Sequence, residues 1–447
     1  MKSTDLINQP LHKSFIHYVS LSLFSMLGLS LYILADTFFV ANGVGQDGLT
    51  ALNLVIPVYN VLNGLGLMLG MGGATLYAIF KGEKESEKSR QIFTSTLIIG
   101  TGSGIIFTAL GLLFIDPLLQ MLGATGNILP LAKNYFGIIL LFSVFFVVNN
   151  IVVCFVRNDG NPQLAMTGML IGSLANIVLD YLFIFPLEMG MEGAALATAT
   201  SPIISLLILT FHKRFPKRQL AFSAVNWRIN SVLPTLSIGF PSFITEFSSG
   251  LVIFMFNIVI LELSGNVGVA AYGIIANISL VCVAIFTGIG QGLQPLVSVN
   301  FGAKKHNNIV RLMTYGFSTA LILGVLFYGI GLVYSDTITQ WFNSENDAVL
   351  SAITKKGIAL YFIAFLFMGM NIVSIAFFSA VAKPKQSFVL SLLRGLILVI
   401  PLLFILSSFL DLTGVWLTLP FTEGLTLLLT IYFIRRYFKK SNLHLLE

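Results

Sequence analysis

Residues 15–41 read FIHYVSLSLFSMLGLSLYILADTFFVA, a run whose only acid is Asp36 and whose only other titratable side chains are His17, Tyr18 and Tyr32. About 20 apolar residues are enough to cross the hydrocarbon core of a bilayer as a helix. The run is too long for the apolar region of a cleaved signal, and no small-residue cleavage site follows it. It reads as a first transmembrane span, preceded by the polar start Met1–Ser14.

The rest of the chain repeats this texture. Polar punctuation separates apolar segments near 15–41, 49–80, 92–115, 132–156, 164–185 and 192–211, then 230–262, 267–300, 309–335, 356–381, 387–410 and 413–438. That is an all-α polytopic membrane protein of twelve transmembrane helices. Only 10% of the 447 residues are charged, against about 25% in soluble chains, so a water-facing surface cannot be covered. Gly-rich stretches such as 64–73 and 288–292 fit close helix packing in a membrane. They do not fit phosphate loops, because no strand precedes them and no P-loop Lys follows. Cys154 and Cys282 lie inside apolar runs and read as packing residues.

Charge placement sets the topology. One set of connections carries Lys81, Lys84, Lys88, Arg90, Arg157, Lys213, Arg214, Lys217, Arg218, Arg228, Lys304, Lys305, Arg311, Lys383, Lys385 and Arg394. With Lys2, Lys13 and the tail residues Arg435, Arg436, Lys439 and Lys440, that side holds 22 of the 25 Lys and Arg. The alternate connections hold Lys133, Lys355 and Lys356, together with Asp47, Asp116, Glu188, Glu192, Glu262, Asp336, Glu345, Asp347 and Asp411. Basic connections stay in the cytoplasm. Both termini are therefore expected there, in a bacterial-type plasma membrane.

The sequence also repeats weakly. Gly45, Gly48, Ala51, Gly70, Gly72 and Gly82 recur in constant register as Gly265, Gly268, Ala271, Gly290, Gly292 and Gly302. Asn150 and Gly193 recur one position beyond that register, as Asn371 and Gly414. Two pseudo-symmetric six-helix lobes follow, residues 1–211 and 230–447 with its short tail, joined by a cytoplasmic linker at 212–229. Parallel repeats of this kind enclose a central cavity and rock about it. That is a transporter's architecture, and no protease motif such as His-Glu-x-x-His or Gly-x-Gly-Asp occurs to suggest an enzyme.

Asp36, Asp180, Glu246 and Glu423 fall within spans. A central acid costs at least about 2.5–3.5 kcal/mol on insertion scales, and a functional cavity or an ion is the usual offset. Counting turns from the span ends puts Asp36, Asp180 and Thr198 at one depth. Asn176 lies at i−4 from Asp180, one turn deeper on the same face. Two carboxylates, an amide and a hydroxyl are hard oxygen ligands for an alkali cation such as Na⁺. Two crowded acids are equally suited to a proton. The plainer alternative is separate hydrogen bonding for packing. Glu246 follows Pro241 near mid-membrane and is placed to meet a cationic substrate or carry a second proton. Tyr32 and the pair Asn149/Asn150 either line the same cavity or hydrogen-bond between helices.

These residues resemble the multidrug and toxic compound extrusion (MATE) family over essentially the whole chain. The resemblance is carried by Leu34-Ala-Asp36-Thr-Phe-Phe-Val, Gly48-Leu-Thr-Ala-Leu-Asn-Leu, Arg157-Asn-Asp-Gly160-Asn-Pro162, Asn176-Ile-Val-Leu-Asp180, Gly193-Ala-Ala-Leu-Ala-Thr198 and Gly239-Phe-Pro241 with Glu246. It implies two lobes in a V, alternating access, and export of organic cations driven by H⁺ or Na⁺, with no cofactor and no nucleic-acid partner. The unit is expected to work as a monomer among membrane lipids. In similar proteins with the acid of span 1, positions matching Asp36, Asn176, Asp180 and Thr198 hold the coupling ion. Met169, Tyr32 and Asn150 match positions lining the drug cavity. One departure is Asn371 in span 10, where another branch has an acid that works with the span-7 Glu. A flippase for a lipid-linked saccharide is the alternative, but no basic residue is expected deep in the first six spans to bind phosphates.

Overall fold

The opening run folds as helix α1, Leu11–Gly43. Its 33 residues extend about 50 Å, more than the roughly 30 Å hydrocarbon core. Phe24, Leu31 and Phe38, spaced by seven, are all more than half exposed. Tyr18, Ser22, Met26, Tyr32, Asp36 and Val40 are buried on the facing side. One helix thus presents an apolar stripe to lipid and a mixed polar stripe inward, and Asp36 belongs to the inward stripe. A helix satisfies its own backbone groups, which is the condition for crossing lipid.

The computed structural model describes residues 9–225, 229–342 and 347–440. Lys2, Arg228 and Glu345 of the charge map, and part of the expected linker, lie outside the described residues. After α1 come α2 (Gln46–Gly82), α3 (Ser86–Leu113), the short α4 (Ile115–Met121), α5 (Ile128–Leu141), α6 (Ser143–Asn158), α7 (Pro162–Ile184) and α8 (Gly190–Leu209). The second half comprises α9 (Ile229–Gly302), α10 (His306–Val333), α11 (Ser335–Phe342), α12 (Ala348–Tyr361), α13 (Phe365–Ala380), α14 (Pro384–Leu392) and α15 (Val399–Lys440). No strand occurs among the described residues.

Nine helical stretches among the described residues are long and apolar enough to cross a membrane, or ten when α5 and α6 count as one bent span. Two of these stretches are double. Helix α9 breaks at Gly265 (φ 61°, ψ −157°) and α15 at Asp411 (φ 50°, ψ −137°). Divided there, the helices match the twelve apolar segments read from the sequence. The fourth expected span, 132–156, is not one straight helix: α5 and α6 meet at Phe142 with a bend of 51°.

The repeat is visible in the backbone. Gly45 (φ 92°) and Gly265 (φ 61°) turn the chain between paired spans at equivalent places in the two halves. Lys84 (φ 64°) and Lys304 (φ 57°) occupy matching connections in the same register. Gly190 (φ 54°) is matched in the second half by Asp411 (φ 50°), where the left-handed region is taken by a residue that tolerates it less well.

Two large apolar cores result. One draws its buried residues from Val40 to Ala195. The other runs from Phe256 to Phe438 and also takes in Phe15, Tyr18 and Val19 of α1. The halves approach most closely where α2 meets α9. A Cβ on Gly239 would lie 1.7 Å from the carbonyl oxygen of Met68, and one on Gly302 would lie 2.0 Å from that of Ile79. Only glycine permits backbones to come that near. Polar contacts close the same end: Gln294 Nε2 donates to Thr75 Oγ1 at 2.8 Å, and Asn158 Nδ2 donates to Gln294 Oε1 at 3.0 Å.

Candidate functional site

Local sequence sets the helices that carry the inward acids. Gly160 (φ 101°) reverses the chain after α6. Asn161 then caps α7, its side chain accepting from Leu164 N at 3.2 Å, and Pro162 occupies the first turn, where its missing N–H costs nothing. Helix α7 brings Asn176 and Asp180 onto one face. The turn through Glu188 and Gly190 returns the chain as α8, antiparallel to α7, which sets Thr198 beside them.

With its amide turned to satisfy both ends, Asn176 donates to Asp180 Oδ2 at 3.1 Å and accepts from Thr198 N at 3.2 Å. Asp36 of α1 is close enough to Asp180 for the two charges to interact. Both acids are buried, Asp180 completely. One oxygen of each, Asp36 Oδ1 and Asp180 Oδ1, has no hydrogen-bond partner. Buried carboxylate oxygens without donors are costly, and a shared proton or small cation relieves that cost. The structure therefore brings together all four residues of the layer expected from helix depth. Tyr135 of α5 joins them without being foreshadowed by the sequence; its hydroxyl is close enough to interact with Thr198 and both acids. Among the described residues no group of three or more His, Cys, Asp and Glu side chains is arranged to hold a metal ion.

A cavity of about 210 Å³ adjoins this cluster, walled by both halves of the chain. Tyr32, Asn149, Asn150, Met169 and Glu246 all line it, as does Thr198. Tyr32 Oη lies 3.3 Å from Tyr59 Oη. An amide relay crosses the cavity: Asn150 Nδ2 donates to Asn63 Oδ1 at 2.8 Å, and Asn63 Nδ2 donates to Glu246 Oε2 at 3.1 Å. Asn63 escapes the sequence reading although it is an amide in an apolar run, four residues after Tyr59 on the same helix face.

Two basic residues need correction. From the sequence, Arg157 is expected in a connection after the fourth span. Arg157 instead sits in the last turn of α6, 2% exposed, on the cavity wall. Its Nη1 donates to Gln291 Oε1 at 2.7 Å across the two halves. Arg394 belongs to a connection in the same reading. A π-helical turn, Leu393–Ile397, swings it inward onto Glu423.

The family model described as MatE matches residues 22–182 and 241–405. The chain belongs to the MatE family. Its members are transporters, not enzymes, and this MatE chain crosses the membrane several times. Multidrug export protein MepA of Staphylococcus aureus is 27% identical over 439 residues, spanning 95% of this chain and 94% of the relative. Among solved structures, MATE in complex with MaL6 aligns with a TM-score of 0.93 at 22% identity, covering 98% of this chain and 99% of the other. An outward-facing multidrug resistance MATE family transporter of the MOP superfamily also aligns at 0.93, with 22% identity and 98% coverage of each chain. At that identity the likeness establishes the MatE fold.

Proposed function

We propose that this MatE transporter is a secondary active exporter that expels organic cations in exchange for H⁺ or Na⁺. What supports this reading is the pair of buried, partly unpartnered acids, Asp36 and Asp180, whose neighbour Thr198 lines the same cavity as Glu246. Asn176 and Thr198 complete the coupling-ion set. Tyr32, Asn149, Asn150 and Met169 form the cargo surface with Glu246. The export function named for MepA supports the same activity here.

The unit is a monomer of two lobes, residues 1–211 and 230–447, joined by a cytoplasmic linker at 212–229. The basic connections and both termini face the cytoplasm. The closely packed end at Gly239 and Gly302 is then the cytoplasmic gate, and the cavity serves the outside. Entry of H⁺ or Na⁺ neutralises the acid cluster, weakens its attraction for the cationic cargo, and releases that cargo outward. The neutralised cavity returns by alternating access, because closing an apolar lobe interface over two uncompensated charges is unfavourable.

A lipid-linked saccharide flippase is not favoured. The relatives are multidrug exporters, and Arg157 alone gives the cavity little hold on a pyrophosphate.

Ethidium efflux from cells under imposed pH or Na⁺ gradients tests the proposal. Gradient-driven efflux is expected from the wild type and its loss from Asp36→Asn and Asp180→Asn. Undiminished efflux in both variants would overturn the site.

A further inference from the structure

The chain leaves α8 through a 3₁₀ turn, Thr210–Arg214, makes a second turn closed by Arg218 N donating to Phe215 O at 3.2 Å, and then crosses the first half without regular secondary structure. Three anchors hold it there. The first is His212, whose Nε2 lies 2.8 Å from Asp159 Oδ2. Asp159 also accepts from the backbone, from Gln219 N at 3.0 Å and Leu220 N at 3.1 Å. Farther on, Ser223 N donates to Thr94 Oγ1 at 3.1 Å, and the Ser223 hydroxyl donates to Glu87.

Asp159 is buried at the hub and takes further bonds from Tyr77 Oη (2.7 Å) and Lys81 Nζ (2.8 Å). Its charge is thereby fully used inside. Between the first two anchors lie Lys213, Arg214, Lys217 and Arg218, all exposed. Among the described residues none of the four has a carboxylate partner. Large exposed aromatics flank them: Phe211, over whose ring Arg214 lies at 5.2 Å, and Phe222, which is 70% exposed.

Four cations without carboxylate partners on a stapled loop, one turn beyond the end of a membrane helix and bracketed by exposed aromatics, match the chemistry of an anionic lipid surface. We propose that residues 211–222 form a preorganised docking surface for anionic phospholipid headgroups of the inner leaflet. It holds the first half of the transporter at the headgroup plane. A solvated loop would have no need of three anchors that leave every cation facing outward. The proposal takes the membrane side of the linker from the topology above but does not depend on the coupling-ion site.

The test uses the full-length protein in detergent micelles doped with phosphatidylglycerol or phosphatidylcholine. Lipid retained after gel filtration is counted by mass spectrometry. The wild type is expected to retain phosphatidylglycerol in preference. The K213Q/R214Q/K217Q/R218Q variant is expected to lose that preference by at least about tenfold, since each cation near an anionic surface contributes severalfold. Wild type washed at high salt should behave like the variant, because the contact is screened. The K133Q/K355Q variant, altered on the opposite side of the membrane where each lysine already pairs with a carboxylate, should stay within about twofold of wild type. Equal retention of the two lipids by the wild type, or wild-type retention by the quadruple variant, would overturn the proposal. Neither readout involves efflux, so failure of the transport mechanism leaves the test intact.

Discussion

Arg394 Nη2 lies 2.6 Å from Glu423 Oε1, and Arg394 Nε donates to the same oxygen at 3.1 Å. The second oxygen of Glu423 accepts from Asn371 Nδ2 at 2.7 Å, and Thr430 Oγ1 donates to Asn371 Oδ1 at 2.8 Å. Glu423 thus carries its own counterion. Asp36 and Asp180 do not. This difference supports the proposal that the exchangeable ion sits at Asp36 and Asp180 and that Glu423 is structural.

The two members of that pair should therefore respond unequally to single and double replacement. Arg394→Met leaves a buried carboxylate uncompensated and is expected to cost about 3–5 kcal/mol. The Arg394→Met/Glu423→Gln double variant should recover most of that loss. Thermal unfolding of the purified proteins in detergent measures both. A double variant no more stable than the single one would contradict the assignment.

Glu246 faces the cavity through a single amide donor. Glu246→Gln should weaken binding of tetraphenylphosphonium by about tenfold, close to 1.4 kcal/mol, through loss of one charge in a poorly screened site. Asn63→Ala should have a smaller effect, about 1 kcal/mol, because it removes a neutral hydrogen bond and leaves the charge. Titration calorimetry distinguishes them, and equal affinities for wild type and Glu246→Gln would count against a cargo role.

Where Gly302 meets Ile79, backbone opposes backbone. Gly302→Val cannot be accommodated by a side-chain rotation, so the gate at that end should fail to close. Efflux should fall by more than tenfold with the protein still present in the membrane. Gly273, whose added Cβ would meet nothing within 4 Å, should accept alanine with efflux unchanged. Similar efflux from both variants would show that this end need not close.

Asp159 offers a pH dependence. Burial alone would raise its pKa, but hydrogen bonds from His212, Lys81 and Tyr77 and the Lys81 charge outweigh it and hold the carboxyl at about 2. A folded-state pKa below the unfolded value of 3.8 gives stability that is complete above about pH 4 and lost as pH falls toward 2. The contribution is about 2 kcal/mol. Proteolysis of the linker should stay constant between pH 8 and 5 in the wild type and rise at every pH in Asp159→Asn.

Much of this is legible in the chain. The twelve apolar segments follow from the length a helix needs to cross lipid, and the layer of Asp36, Asn176, Asp180 and Thr198 follows from helical rise alone. What escapes depends on side chains meeting across segments. Arg394 and Glu423 are 29 residues apart on different spans, and a π-helical turn that no composition announces swings the arginine inward. Arg157 sits at a helix end, where one turn separates a solvated cation from a cavity wall. The 51° bend at Phe142 has no proline to mark it. In the sequence Asp159 stands only within the family-like stretch Arg157–Pro162, and its role as the anchor of the linker emerges only once the chain 60 residues later is laid over it.

In the proposed exchange, cargo and coupling ion compete through Asp36 and Asp180. Binding of tetraphenylphosphonium to the purified protein, in weakly buffered detergent solution with a pH indicator and a Na⁺ electrode, measures that competition. Wild type should release H⁺ or Na⁺ as the cation binds, while Asp36→Asn and Asp180→Asn bind it with no such release. Equal ion release from wild type and both variants would place the exchange at other residues.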